Sequence, residues 1–187
     1  MSSPALFVLG CWGAGKSTLG RALEPHGFRH VEIDRWREGD GIALWGVQRA
    51  WEHLMAGRRA HGFVHALRRA SGTSAPQPLV VTFPGRVVFA PLQLMAIAQA
   101  RIALMALHAP VDEIMSGFLR RALALGDDHG VDFWKASNLD IHATLSQPHY
   151  EPYRVTSFVQ GRFVGGDALA AIALDRMRSS VPSRLTA

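Results

Sequence analysis

The sequence predicts an α/β fold built on a parallel sheet, on three observations. Apolar runs of strand character at residues 5–9, 28–33, 79–83, 102–107 and 153–159 alternate with stretches of helical periodicity. The first run feeds directly into residues 10–18, G-C-W-G-A-G-K-S-T, where Gly10, Gly15, Lys16 and Ser17 fill every fixed position of the pattern G-x-x-x-x-G-K-[ST]. A helical run at 17–23 then follows, so the motif has a strand before it and a helix after it.

The chemistry of this stretch follows from its backbone. A loop whose N–H groups turn inward on an oxyanion needs angles that glycine adopts cheaply, and Gly10, Gly13 and Gly15 supply three such points in six residues. The orphan N–H groups and positive dipole end of a helix starting near Lys16 add to the anion site. Gly10, Trp12, Gly13, Ala14, Gly15, Lys16, Ser17 and Thr18 are therefore the candidate nucleotide-binding residues. Lys16 would reach the β- and γ-phosphates and the Ser17 hydroxyl would ligate Mg2+. Of the twenty basic side chains only Lys16 and Lys135 are lysine, so a compact ammonium stands at the phosphate position in a chain that otherwise uses arginine.

Pro25-His26-Gly27 ends the first helix, and the second strand places Asp34 at its C-terminal end. In an open α/β sheet ligands bind beyond the carboxyl ends of the strands. Asp34 then faces the γ-phosphate region, as a base for an attacking hydroxyl or as a water-mediated Mg2+ ligand. An N-cap for residues 35–37 is the alternative. Residues 42–70 read as helical with an interruption at Gly57, more chain than a minimal crossover needs, so a helical insert at about 36–70 is expected. His61 and His65 stand at i, i+4 without the carboxylate base or third ligand of a helical zinc motif, and no metal is expected there.

Residues 71–78 read as a surface loop, and the third strand ends in Pro84-Gly85-Arg86 at the crevice edge, with Arg86 a candidate anion clamp. No aspartate follows this run, which adds weight to Asp34. A helix at 91–100, a strand at 102–107 and an amphipathic helix at 111–125 come next. Asp112 and Glu113 open that helix and Arg120 and Arg121 lie near its end, as its dipole favours. From 126 to about 149 periodicity fades, and a mobile segment over the phosphate site is expected, with Arg120 or Arg121 at its base to meet transition-state charge. A last helix at 167–178 and a loose tail from Ser179 complete the chain.

At 187 residues the chain fits one domain, 1–187, able to bury about 70% of its unfolded surface without a disulfide or metal. Cys11 is the single cysteine, read as a small filler with a lowered thiol pKa as the alternative, and the composition fits a reducing, cytoplasmic setting. Residues 1–4 lack the basic start of an export signal, and the most apolar stretch, 87–107, is broken by Pro91, Gln93, Gln99 and Arg101, so no membrane span is expected. The net charge of +5 is scattered in arginine pairs without a basic block, which argues against a nucleic-acid partner and fits anionic small substrates.

Five strand-like runs alternating with helices, a phosphate loop after the first, Asp34 after the second and a helical insert before the third resemble the small P-loop kinases. Shikimate kinase, gluconate kinase, the nucleoside monophosphate kinases and chloramphenicol phosphotransferase are the families in question. The resemblance implies a P-loop NTPase three-layer sandwich, with a five-stranded parallel sheet in order 2-3-1-4-5 and helices on both faces. It also implies an acceptor-binding insert and a lid-like segment at about 120–149. Asp34 matches the acidic residue that shikimate kinases and the chloramphenicol enzyme keep after strand two. Residues 82–86, T-F-P-G-R, resemble the acceptor loop of shikimate kinase and the G-F-P-R run of nucleotide kinases, and Arg120-Arg121 resembles the start of their arginine lid. The implied activity is ATP-dependent transfer of the γ-phosphoryl group to a small-molecule hydroxyl or phosphate. Lys16, Asp34, Arg120 and Arg121 would be catalytic, Asp34, Arg37, Gly85 and Arg86 would contact the acceptor, and Ser17 with Asp34 would hold Mg2+, in a monomer or homodimer. A nucleotide-binding regulatory NTPase or switch without a small acceptor is the alternative.

Overall fold

Strand β1 (Ala5–Gly10) is apolar at nearly every position because it lies at the centre of the sheet, and all six of its residues are buried. The computed structural model describes residues 4–33, 43–72, 77–124 and 131–180. β1 pairs in parallel with β3 (Leu79–Thr82) on one side and with β4 (Ala103–His108) on the other, in registers that set Val8 against Thr82 and Gly10 against Leu107. β2 (Arg29–Glu32) adds to β3, and β5 (Arg154–Thr156) adds to β4. The order is β2-β3-β1-β4-β5 with every neighbouring pair parallel, as expected. Helices cover both faces, giving three layers.

The helices follow from the breaks in the sequence. α1 (Lys16–Leu23) is stopped by the 3-10 turn Glu24–His26 and by Gly27, whose φ of 83° suits a residue without Cβ. The expected insert consists of α2 (Ala43–Met55) and α3 (Ala60–Ala70), parted at Gly57. α4 (Pro91–Gln99) begins with proline at its first position, where no intrahelical N–H is lost. α5 (Val111–Ala124) and α7 (Gly166–Ser180) lie where the sequence puts them.

Two stretches differ from expectation. Between 126 and 149, where an irregular segment was expected, α6 (Val131–Leu145) forms and packs on β1 and β4. Its inward row runs Trp134, Asn138, His142 at i, i+4, i+8, beside buried Ile141 and Leu145. Two polar residues in that row dilute the apolar period that marks a packed helix. The expected strand at 153–159 ends at Thr156. A separate hairpin of β6 (Phe158–Val159) and β7 (Arg162–Phe163) follows, turned by Gln160 and Gly161 at φ 51° and 73° as a two-residue turn of this hand requires.

An aromatic cluster joins the insert to the sheet. The ring of Phe7 on β1 meets Phe63 on α3, Phe83 just beyond β3, and Phe89 at centroid distances of 5.9, 5.1 and 6.3 Å, and Trp51 of α2 closes on Phe63 at 5.4 Å. Such edge-on and tilted pairs add about 0.5–1.5 kcal/mol each beyond the area they bury. The loop from Phe83 to Ala90 is also held by Tyr150, which is wholly buried in the 3-10 turn Pro148–Tyr153. Its hydroxyl donates to the Phe89 carbonyl and accepts from the Phe89 N–H, both at 2.6 Å. Burial pushes the phenol up to about 12. Among the described residues no helix is long and apolar enough to cross a membrane.

Tyr150→Phe would leave both backbone groups of Phe89 without a partner in the interior. A loss of about 1–3 kcal/mol is expected in the urea unfolding free energy, with the far-UV circular dichroism spectrum unchanged.

Candidate phosphate-binding site

The loop of residues 10–15 leaves the carboxyl end of the central strand and enters α1 through Gly15, whose left-handed φ of 94° caps the helix without any side-chain hydrogen bond. The first-turn N–H groups of α1 are thus not satisfied by a capping side chain. The Ala14 N–H bonds to the Cys11 carbonyl at 3.2 Å. The backbone N–H groups of Gly13, Gly15 and Ser17 have no acceptor among the described residues. Donors so placed at a helix N-terminus suit anionic oxygens. Lys16 Nζ arches back over the loop, donating to the Gly10 carbonyl at 2.8 Å and the Cys11 carbonyl at 2.9 Å.

Close packing of neighbouring elements explains the glycines as much as their angles do. A Cβ built on Gly13, at φ 85°, would lie 3.0 Å from the Phe118 amide nitrogen, so the backbone of α5 rests on the loop at Gly117 and Phe118. On Gly15 it would overlap the ring of Phe163, which the β6–β7 hairpin lays on the loop. On Gly85 it would enter the indole of Trp12. Two stretches predicted for the site, the phosphate loop and the Pro84-Gly85-Arg86 turn, are thereby brought into contact.

The other predicted residues are placed as follows. Ser17 and Thr18 lie half-buried in the first turn of α1, where Thr18 faces the start of α7 at Gly166. Ala14 is fully buried, and Arg86 is exposed. Arg120 is exposed on α5, one helical turn beyond the Gly117 contact with the loop. Asp34, Arg37 and the side chain of Arg121 lie outside the described residues. Cys11 is 1% exposed, and burial pushes its thiol up to about 11 against the pull of the Lys16 charge, which makes it an inert filler.

Several contributors were not anticipated. Asn138 of α6 accepts the Trp12 N–H at 2.9 Å and donates to the Trp12 carbonyl at 3.3 Å. Trp134 meets the Trp12 indole edge-on at 4.7 Å. At the end of β4, His108 stacks on His142 at 4.6 Å. His142 Nε2–H donates to the Ala109 carbonyl at 2.9 Å. Ser146 spends its proton on the His142 carbonyl at 2.8 Å, so it accepts from His108 Nε2–H at 3.0 Å. Burial, then His142, then Arg154 hold the His108 imidazole below its usual range. A separate cavity of about 570 Å3, lined by Arg49, His53, Arg58, Arg59 and His61, opens between α2, α3 and α4 and contains none of the predicted site residues.

No protein-family model matches the sequence, and no curated protein matches it. Solved structures do match in fold over nearly the whole chain. The shikimate kinase of Acinetobacter baumannii, in complex with shikimate, superposes with a TM-score of 0.51 at 18% identity, covering 97% of this chain and 96% of its own. The gluconokinase of Sinorhizobium meliloti 1021 gives 0.53 at 18% identity, with 94% and 92% covered. A sugar kinase from Janibacter sp. HTCC2649 gives 0.56 at 17% identity, with 97% and 99% covered. The chain therefore has the fold of the small P-loop kinases.

The lowered His108 pKa has a defined sign. The folded state resists protonation, so its contribution is complete above the ordinary imidazole value of about 6.5 and is lost as pH falls below it toward the lowered folded value. Between pH 7.5 and 5.5 the urea midpoint of the wild type is expected to drop more than that of His108→Gln; parallel curves would remove His108 as the cause.

Proposed function

We propose that the protein is an ATP-dependent phosphotransferase that moves the γ-phosphoryl group to a small-molecule hydroxyl or phosphate acceptor. The observation that carries this reading is the cradle at the head of α1: loop donors at Gly13, Gly15 and Ser17, with the Lys16 ammonium above them, at the carboxyl edge of a parallel sheet. The likeness of fold to solved shikimate, gluconate and sugar kinases supports it, and makes polyhydroxylated acids and sugars the first acceptors to test.

In this reading the loop amides and Lys16 take up the charge on the β- and γ-phosphates. The Ser17 hydroxyl, in the first turn of α1, and the Asp34 carboxylate suit a hard, oxygen-seeking cation and would hold Mg2+, which supplies charge neutralisation when bound. Asp34 follows the C-terminal end of β2 and accepts the proton of the attacking hydroxyl as its oxygen bonds to phosphorus and ADP departs. Arg86 and Arg37 would meet anionic groups of the acceptor beside Gly85. Arg120 or Arg121, just past the contact of α5 with the loop, would meet charge that develops on the transferring group. The α2–α3 insert would present the acceptor, and α6, packed on β1 and β4, would brace the loop rather than serve as the lid expected over 120–149. The working location is the cytoplasm.

The alternative, a nucleotide-dependent switch without an acceptor, draws on Met55, Leu92 and Met95, exposed apolar side chains on α2 and α4 suited to a partner.

Mg2+ with ATP at a hundredfold excess over Kd is expected to stabilise the fold by about 2.7 kcal/mol, read as a rise in Tm. A flat Tm across millimolar ATP and GTP would overturn both readings. Asp34→Asn keeps capping ability and shape but loses the charge, so phosphoryl transfer should fall by about 10²-fold or more while Tm hardly moves. Turnover close to wild type in that variant would take Asp34 out of the site, whereas a wild type that binds nucleotide but transfers phosphate to none of the acceptors would favour the switch.

A further inference from the structure

The amide of Asn138 treats Trp12 as a strand partner would, bonding both the N–H and the C=O of a single residue. Asn138 is 1% exposed, and its own backbone carbonyl accepts the Cys11 thiol at 3.5 Å, so the contact is part of the packed interior. Its helix is fixed on either side. One turn earlier Trp134 lies on Trp12, and one turn later His142 is bonded to Ala109 at the end of β4. The Trp12 N–H therefore points out of the loop toward α6, and the donors left for a ligand include those of Gly13, Gly15 and Ser17.

We propose that Asn138 is a positioning residue for the nucleotide: by holding both peptide groups of Trp12 from outside, it fixes which loop N–H groups face the phosphates. The role rests on the reading of the loop as a nucleotide site. Among side chains of similar size, only one that both donates and accepts can do the same work. Leucine fills the space and bonds to neither group. An ionised aspartate accepts from the Trp12 N–H but opposes the Trp12 carbonyl, and it adds negative charge beside a phosphate site. A neutral aspartic acid restores both bonds, because its O–H donates where the amide NH2 did. Burial favours that neutral form and raises the carboxyl pKa into an accessible range.

The test is Mg·ATP affinity by titration calorimetry for the full chain, as wild type, Asn138→Leu and Asn138→Asp, from pH 8 to pH 5.5 at a temperature well below every Tm. Among the described residues Cys11, Lys16, His142 and His108 are titratable groups around this contact, and all three proteins share them, so the ratio of each variant to wild type at one pH isolates position 138. The leucine variant should bind about tenfold more weakly at every pH, the cost of losing roughly one net hydrogen bond. The aspartate variant should match that loss at pH 8 and recover toward wild type at pH 5.5. If Asn138→Leu does not fold, the recovery of Asn138→Asp on acidification decides the matter alone. An aspartate variant whose deficit is the same at every pH, or a leucine variant that binds as wild type does, would overturn the positioning role and leave the nucleotide site standing. Failure of the wild type to bind either Mg·ATP or Mg·GTP would overturn the site itself, and the role of Asn138 with it.

Discussion

A phosphate cradle works only if its N–H groups converge, and convergence requires that the rest of the loop backbone be tied down by something other than the ligand. Here the loop is gripped on all sides. The α5 backbone lies on Gly13, the Phe163 ring on Gly15, the Asn138 amide on Trp12, and the Lys16 ammonium draws the Gly10 and Cys11 carbonyls together. Each contact comes from a different part of the chain, so the loop geometry depends on completion of the whole fold. A free glycine-rich turn would sample many conformations, and ordering it would consume binding energy.

The same dependence decides how much was legible in the sequence. Strand, loop and helix at the N-terminus could be read because short-range rules govern them: an apolar run, glycines at fixed offsets, and a lysine where arginine is the habit of the chain. The central strands could be read because burial on both faces demands unbroken apolar runs. Asn138 and Tyr150 could not. Their value lies in hydrogen bonds to Trp12 and Phe89, residues far away in sequence, and nothing local distinguishes a buried asparagine on a polar helix from a solvated one. The spacing of Trp134, Asn138 and His142 was a usable clue, since four-residue steps place them on one face, but only a tryptophan in that row reads as core. The hairpin at 158–163 was lost for a simpler reason. Ser157 donates its N–H to His108 across from β5 and looks like a continuation of the strand, although the chain turns away directly after it.

Glycine carried two messages in this chain. At Gly13 and Gly15 the positive φ and the close approach of another element coincide, so the sequence reading was right about the residue and saw half of the reason. At Gly85 the reason is packing, because the indole of Trp12 occupies the space of a side chain. A residue predicted for the nucleotide and one predicted for the acceptor thus share an interface.

The sheet order has a consequence for how the protein is made. β1 leaves the ribosome before the other strands of the sheet, yet its two partners begin only at Leu79 and Ala103, and its aromatic neighbours at Phe63, Phe83 and Phe89 also lie well downstream. At about 5–20 residues per second, the most apolar strand of the domain waits for several seconds with both of its edges unpaired. During that interval its apolar edges need shielding, and the loop can take its final shape only once synthesis has passed β7, whose Phe163 lies on Gly15.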